Sequence, residues 1–303
     1  MKLFFEIKVL SIFILFSVVA NAQIDSMTFL ENIERQKTII SKLSGNAPLN
    51  GQIYLKQRST PGERKLTVNY LSDYLENIGW QLKNHHYKTT NGNVFLDLFF
   101  PPMRGINVSA ILTATKTSDE YVVFGAHYDS ERTSPGAIDN ASGVAICLTV
   151  AQKLIQLNKR EINFIVVLFD QEEDNEIGSR AYAKMLKKKG LNIHSVHTFD
   201  MIGWDKNKNR SLELELPTAY LKNLYETTAL EMGTTVYTTK VSSSDHKSFI
   251  DQGYNALGIS EEYVKGDTTP YYHKPEDAYN TVDFEYVSFA TELIFNVMKK
   301  IAL

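Results

Sequence analysis

The sequence predicts an α/β protein: a single domain with a central mixed, mostly parallel sheet covered by helices on both faces. Three observations predict it. Strand-like and helix-like segments alternate for most of the 303 residues, the pattern of a sheet wound between helices. The run INFIVVLF, Ile162 to Phe169, is apolar without interruption, as a strand covered on both faces must be. No linker, low-complexity stretch or internal repeat divides the chain.

The N-terminus reads as an export signal. Lys2 and Lys8 flank an apolar stretch from Val9 to Ala20, and Ala20-Asn21-Ala22 supplies small residues for cleavage after Ala22. Residues 1–22 are therefore expected to be a signal peptide and 23–303 a single domain, exported to a periplasmic or extracellular location. The apolar stretch is about a dozen residues against the roughly 20 needed to span a bilayer, so no stable membrane anchor is expected. The only cysteine, Cys147, lies far from the cleavage point, which argues against lipid attachment there and against an internal disulfide.

From Arg58, RSTPGERKLTVNYLSDYLENIGW places Leu66, Tyr70, Leu71, Tyr74 and Leu75 at helical spacing, with a glycine stop at Gly79. His85 and His86 fall in a polar stretch expected to be loop. VFLDLFF, NVSAILTAT and YVVFGAH are rich in β-branched and aromatic residues and are expected to be strands. Val144, Leu148, Ala151 and Ile155 recur at helical intervals, and Cys147 within that helix is expected to be a packed, inert thiol. After INFIVVLF come a helix ending at Gly190, a strand in HSVHTFDMIG, a helix with Pro217 near its first turn, strands in TTVYTTKV and NALGIS, and a C-terminal helix. The formal charge of −3 and the separated basic runs KKKG and DKNKNR give no footprint for nucleic acid.

Metal-capable side chains recur where the apolar runs end. YVVFGA ends in His127, followed by Asp129; INFIVVLF runs into FDQEED, four carboxylates in six residues; HTF ends in Asp200. Asp139 stands in the turn SPGAIDNASG, and His273 lies in YYHKPEDAYN. If the strands are parallel, His127, Glu172 or Glu173, and Asp200 emerge along one rim, where ligands of open α/β sheets bind. Carboxylates crowded there repel one another. Divalent cations reverse that balance, and imidazole with carboxylate favours zinc, with cobalt and manganese as the alternatives.

Taken in order, GAHYDS, GAIDNASGVA, FDQEEDNEIGS, FDMIG, SDHKSF and YYHKPEDAYN resemble the zinc-dependent exopeptidases of peptidase family M28, from about Arg58 to the C-terminus. The resemblance implies two Zn²⁺ ions: His127 and Asp200 hold one, Glu173 and His273 the other, and Asp139 bridges them. It implies Glu172 as general base and later acid, Tyr272 as a donor to the oxyanion, Asp129 as the group orienting His127, and a cis peptide between Asp139 and Asn140. Peptides with a free N-terminus are the implied substrates. Gln171 and Asn175 depart from the family's usual glycines, and Asn tolerates the left-handed conformation far better than most residues.

Other readings follow from the same residues. A glutaminyl cyclase-like enzyme would use one zinc, although Tyr272 stands where such enzymes tend to have tryptophan. A carboxypeptidase would use the same metal core on the other end of a peptide, and a non-catalytic binding domain would have lost ligands. His194 and His197 are expected on strand faces. His246 is expected at a helix start near the cleft, capped by Ser244 or Asp245, and those three adjacent residues do not form a catalytic triad.

Overall fold

Nine strands form one sheet in the order β1-β3-β5-β4-β6-β9-β7-β8, with β2 also paired to β3. In chain order they are β1 (Gln81–Leu82), β2 (His85–Lys88), β3 (Arg104–Leu112), β4 (Glu120–His127), β5 (Asn163–Phe169), β6 (Asn192–Phe199), β7 (Leu212–Glu215), β8 (Val236–Thr239) and β9 (Ala256–Ser260). The computed structural model describes residues 27–90, 94–99 and 102–303. The expected signal peptide lies outside them. Among the described residues no helix is long and apolar enough to cross a membrane.

The centre of the sheet, β5-β4-β6-β9, is parallel throughout. β3 joins β5 antiparallel, and β7 joins β9 antiparallel. The sheet is therefore mixed with a parallel core, as the sequence predicts. β5 shows why INFIVVLF had to be apolar throughout. Phe164, Val166 and Leu168 pack into the larger core, while Ile165, Val167 and Phe169 pack into the smaller core on the other face, because side chains alternate along a strand.

The larger core is closed by helices α1 (27–43), α2 (Pro61–Asn77), α4 (Gly143–Ile155), α6 (Ala219–Glu231) and α8 (Phe284–Ala302). The smaller is closed by α5 (Ile177–Lys189) and α7 (Asp245–Ile250). Helix α2 starts with a capping box: Thr60 accepts from the Glu63 backbone N–H, and Glu63 accepts from the Thr60 backbone N–H. Helix α1 is absent from the sequence-based prediction. Its inner face mixes Ile33, Ile39, Ile40 and Leu43 with buried Asn32 and Gln36, whose amides donate to Glu292 and Thr291 of α8. That face is half polar, so it carries little periodic signal.

Three further segments differ from expectation. VFLDLFF is not a strand: Val94–Phe99 is a short helix, α3. β2 and β3 form a hairpin whose last ladder pair is Lys88 opposite Arg104, with Thr89 and Met103 bonded just beyond. Among the described residues past the Thr89–Met103 contact none joins a strand, and a helical turn satisfies its own backbone. For the same reason His85 and His86 are strand, not loop: they pair with Asn107 and Ile106. β7, LELE, is too short and too acidic to stand out, yet all four of its residues are buried.

Arg58 fastens the loops that leave this frame. Fully buried, it donates to the carbonyls of Leu43, Tyr128, Pro135 and Gly136 at 2.6–2.9 Å. Gly136 takes a left-handed φ of 61°, and a Cβ there would fall 2.7 Å from the guanidinium, so glycine lets the two meet. Replacing Arg58 by methionine leaves four buried carbonyls without donors. The Arg58→Met variant should lose on the order of 4 kcal/mol, read as a lowered midpoint in urea unfolding; a midpoint within experimental error of wild type would refute the fastening role.

Candidate metal centre

Three of the four parallel strands at the centre of the sheet end at candidate site residues. β4 ends on His127; β5 ends at Phe169 and runs into Asp170–Asp174; β6 ends at Phe199, before Asp200. Between β4 and α4 the chain carries Asp139, and the turn before α8 carries Tyr272 and His273. The cis peptide implied between Asp139 and Asn140 is present. The Asn140 amide donates to the Phe199 carbonyl at 2.8 Å, tying the Asp139 loop to the strand that delivers Asp200.

Asp139 sits between two histidines. Its Oδ1 lies 3.2 Å from His127 Nε2, and its Oδ2 lies 3.3 Å from His273 Nε2. Each imidazole nitrogen meets a second carboxylate: Asp200 Oδ1 at 3.3 Å from His127, and Glu173 Oε2 at 3.1 Å from His273. All five expected ligands are thus in one chain of contacts. Glu131, which the sequence did not single out, comes within 4.8 Å of Glu173 and His273.

Glu172 and Tyr272 line the cleft beside Asp139, Asp200 and His273. Tyr272 is 44% exposed and stacks on His273, with ring centroids 3.7 Å apart. Asp129 has a broader part than orienting an imidazole. Its two oxygens accept the backbone N–H groups of Glu172 and Glu173 at 3.1 and 3.2 Å, while its distance to His127 Nδ1 is 3.5 Å, too long for a good hydrogen bond. Asp277 does the same for the other acid: Oδ1 accepts the Ile138 N–H at 2.8 Å and Oδ2 the Asp139 N–H at 3.0 Å.

Buried acids and histidines act strongly on one another across the site. Burial, aided by the nearby Asp200 and Asp245 charges, pushes Glu172 far above the usual carboxylate range. Burial and then Asp139 raise Glu173. Burial alone would raise Asp139 too, but hydrogen bonds from His127 and His273 pull it down. Asp139 and Glu173 push His273 up to about 10. Tyr272 is raised by burial and by four surrounding carboxylates, so its phenol keeps its proton as a donor. Glu173 Oε1, on the carboxylate that faces His273, is buried with no hydrogen-bond partner, an imbalance that a cation held by that carboxylate would remove.

The spacing fits zinc. Tetrahedral Zn²⁺ with bonds of about 2.0–2.1 Å sets its ligand atoms roughly 3.3–3.4 Å apart, and the four contacts around Asp139 measure 3.1–3.3 Å. Oxygen and imidazole donors suit the same metal.

The FDQEED acids divide by place. Asp170 forms a buried ion pair with Arg64 at 2.8 Å, and Asp174 accepts from the Gln171 amide at 3.1 Å. Gln171 and Asn175 adopt left-handed φ values of 58° and 70°, the conformation for which glycine is the easy choice. The turn keeps its shape without glycine, braced by Tyr87 donating to the Gln171 side chain. Ser244 occupies the N-cap position of α7 but makes no side-chain cap; its hydroxyl donates to Asp200 Oδ2 at 2.7 Å instead. Asp245 does not cap either, and its Oδ1 is buried without a partner. His194 and His197 lie in β6, as expected.

Fold and site define a class: an α/β protein of zinc-exopeptidase architecture. The chain belongs to peptidase family M28, whose sequence profile matches residues 107–298. It is 32% identical over 186 residues to Aminopeptidase YwaD of Bacillus subtilis (strain 168), covering 58% of this chain and 40% of that protein. The chain thus spans well under two thirds of that relative's length. In fold it resembles the zinc aminopeptidase BSAP from Bacillus subtilis, with a TM-score of 0.76 at 16% identity over 89% of this chain and 95% of that one. It also resembles Porphyromonas gingivalis glutaminyl cyclase, with a TM-score of 0.70 at 17% identity over 88% and 98%.

Asp277 went unassigned in the sequence although it stands four residues after His273; an acid following a candidate ligand was the available signal. An Asp277→Asn variant turns one acceptor into a donor against the two N–H groups that place Asp139. It should fold normally and bind zinc about 10–100-fold more weakly, measured by calorimetric titration of metal-free protein. Unchanged affinity would remove Asp277 from the positioning of Asp139.

Proposed function

We propose that the protein is an exported zinc aminopeptidase that hydrolyses N-terminal residues from peptides. The observation that carries this reading is the pairing around Asp139: each carboxylate oxygen faces one histidine, and each histidine faces one further acid. Two Zn²⁺ ions fit that pairing, with His127 and Asp200 holding one, Glu173 and His273 the other, and Asp139 shared. When bound, zinc there supplies Lewis acidity that polarises the scissile carbonyl and makes a neighbouring water nucleophilic near neutral pH.

The chain's own residues carry the proton and charge movements. Glu172 makes none of the contacts of the Asp139 chain and lines the cleft, so its carboxylate takes the proton from the attacking water and returns it to the departing amine. The Tyr272 phenol donates to the negative charge developing on the carbonyl oxygen. Asp129 holds the backbone of Glu172 and Glu173 together, which keeps the proton carrier and the ligand beside it in fixed relation. The relative named an aminopeptidase supports the amino-terminal direction. Export rests on the lysine-flanked apolar stretch and the small residues ending at Ala22.

A cyclase of similar fold offers the second reading, and metal stoichiometry separates the two. Calorimetric and elemental analysis should give two zinc ions per chain, with hydrolysis of aminoacyl nitroanilides; one ion with cyclisation of N-terminal glutamine would favour the cyclase. Glu172→Ala should abolish turnover while keeping both ions, and unchanged turnover would sink the assigned mechanism. Tyr272→Phe should lower kcat by about 10–100-fold with little change in zinc content.

A further inference from the structure

The cleft that holds Glu172, Tyr272 and His273 is also lined by Met201, Val241, Tyr263 and, from the end of β7, Glu215. Glu215 is 4% exposed. Its Oε1 accepts from the Ser260 hydroxyl at 3.0 Å, but Oε2 has no hydrogen-bond partner. Two residues earlier on the same strand, Glu213 uses both oxygens on the backbone N–H groups of Val264 and Lys265. The contrast isolates Glu215 as the acid of β7 that its own surroundings leave unsatisfied.

Its nearest neighbour does not supply the missing charge. His246 Nδ1 lies 3.3 Å from Glu215 Oε2, while His246 Nε2 lies 3.0 Å from the Val241 carbonyl. A carbonyl only accepts, so Nε2 carries the proton, and in the neutral ring Nδ1 turns a lone pair toward the carboxylate. Both atoms are left without a donor. Among the described residues no lysine or arginine is paired with Glu215. Burial first, and then the Asp200 charge, push its carboxyl up to about 8, so a bound cation is what keeps it ionised at neutral pH. The facing residue, Gly258, lets the carboxylate and the imidazole pack against the strand: a Cβ there would fall 2.3 Å from Oε2 and 2.6 Å from His246 Nδ1.

Resting on the aminopeptidase reading, we propose that Glu215 makes this pocket select a cationic side chain, so that the preferred N-terminal residues are lysine and arginine. Met201, Val241 and the Tyr263 ring offer apolar contact to a methylene stem. Glu215 meets the ammonium or guanidinium at its end with a charge-assisted hydrogen bond. An uncharged side chain of equal length leaves the acid buried and unpaired, which is a penalty against the wrong substrate as well as a gain for the right one.

The test compares L-lysinamide with L-norleucinamide, which differ by the terminal ammonium. Calorimetry on the zinc-loaded wild type should show lysinamide binding at least about tenfold more tightly. In Glu215→Gln the preference should fall to within about twofold, with norleucinamide affinity unchanged. Equal binding of the two amides to the wild type overturns the proposal. So does an equal loss for both amides in Glu215→Gln, which would put Glu215 on the α-amine that they share. Turnover of lysyl and leucyl nitroanilides is measured in parallel. Lysine-selective binding without any turnover upholds the pocket and overturns only the aminopeptidase reading.

Discussion

The rim of the sheet depends on keeping one carboxylate, Asp139, between two histidines while other acids crowd in from the neighbouring strands. Left to itself, such a group would spread apart or take up protons. The fold prevents this by holding backbone rather than side chains. Asp277 grips the N–H groups of Ile138 and Asp139, Asp129 grips those of Glu172 and Glu173, and Arg58 ties the loop between His127 and Asp139 by its carbonyls. The acids that face inward are therefore placed by residues that never enter the cleft. Preorganisation of this kind keeps the donor set together at the spacing a metal needs.

Much of this was legible before any coordinates. The alternation of apolar runs and amphipathic stretches reports the winding of a parallel sheet, and the C-terminal ends of parallel strands share one rim by construction. His127, one of Glu172 and Glu173, and Asp200 could therefore be grouped from strand ends alone. Asp139 and His273 stand in turns, where position along a strand gives no information; only the ordered set of motifs pointed to them. What stayed hidden is of another kind. Arg58 resembles any surface arginine until its four carbonyl partners are known, because those partners are main-chain atoms scattered over about ninety residues and leave no side-chain signature.

The errors are equally physical. VFLDLFF has the composition of a strand, but strand propensity mostly measures fit to a pleated, half-buried surface, and among the described residues the Lys88–Arg104 pair is the last rung of that ladder. Helix α1 hides for the opposite reason, since Asn32 and Gln36 occupy inward positions by bonding to α8. Glu215 belongs with these. An acid within LELE reads as the solvent side of an alternating strand, whereas here both faces are covered and the acid looks into a cleft.

The lone thiol described at the start gains a use from its setting. Cys147 lies on α4, fully buried in the larger core, and burial holds its thiol well above the ordinary cysteine range. Alkylating reagents attack the thiolate, so the native protein shields its single reactive sulfur twice, by access and by protonation. Labelling proceeds through openings that expose the helix between the Asp139 loop and the sheet. The sequence thus carries a stoichiometric clock for the opening of its own core, with no second cysteine to blur the signal.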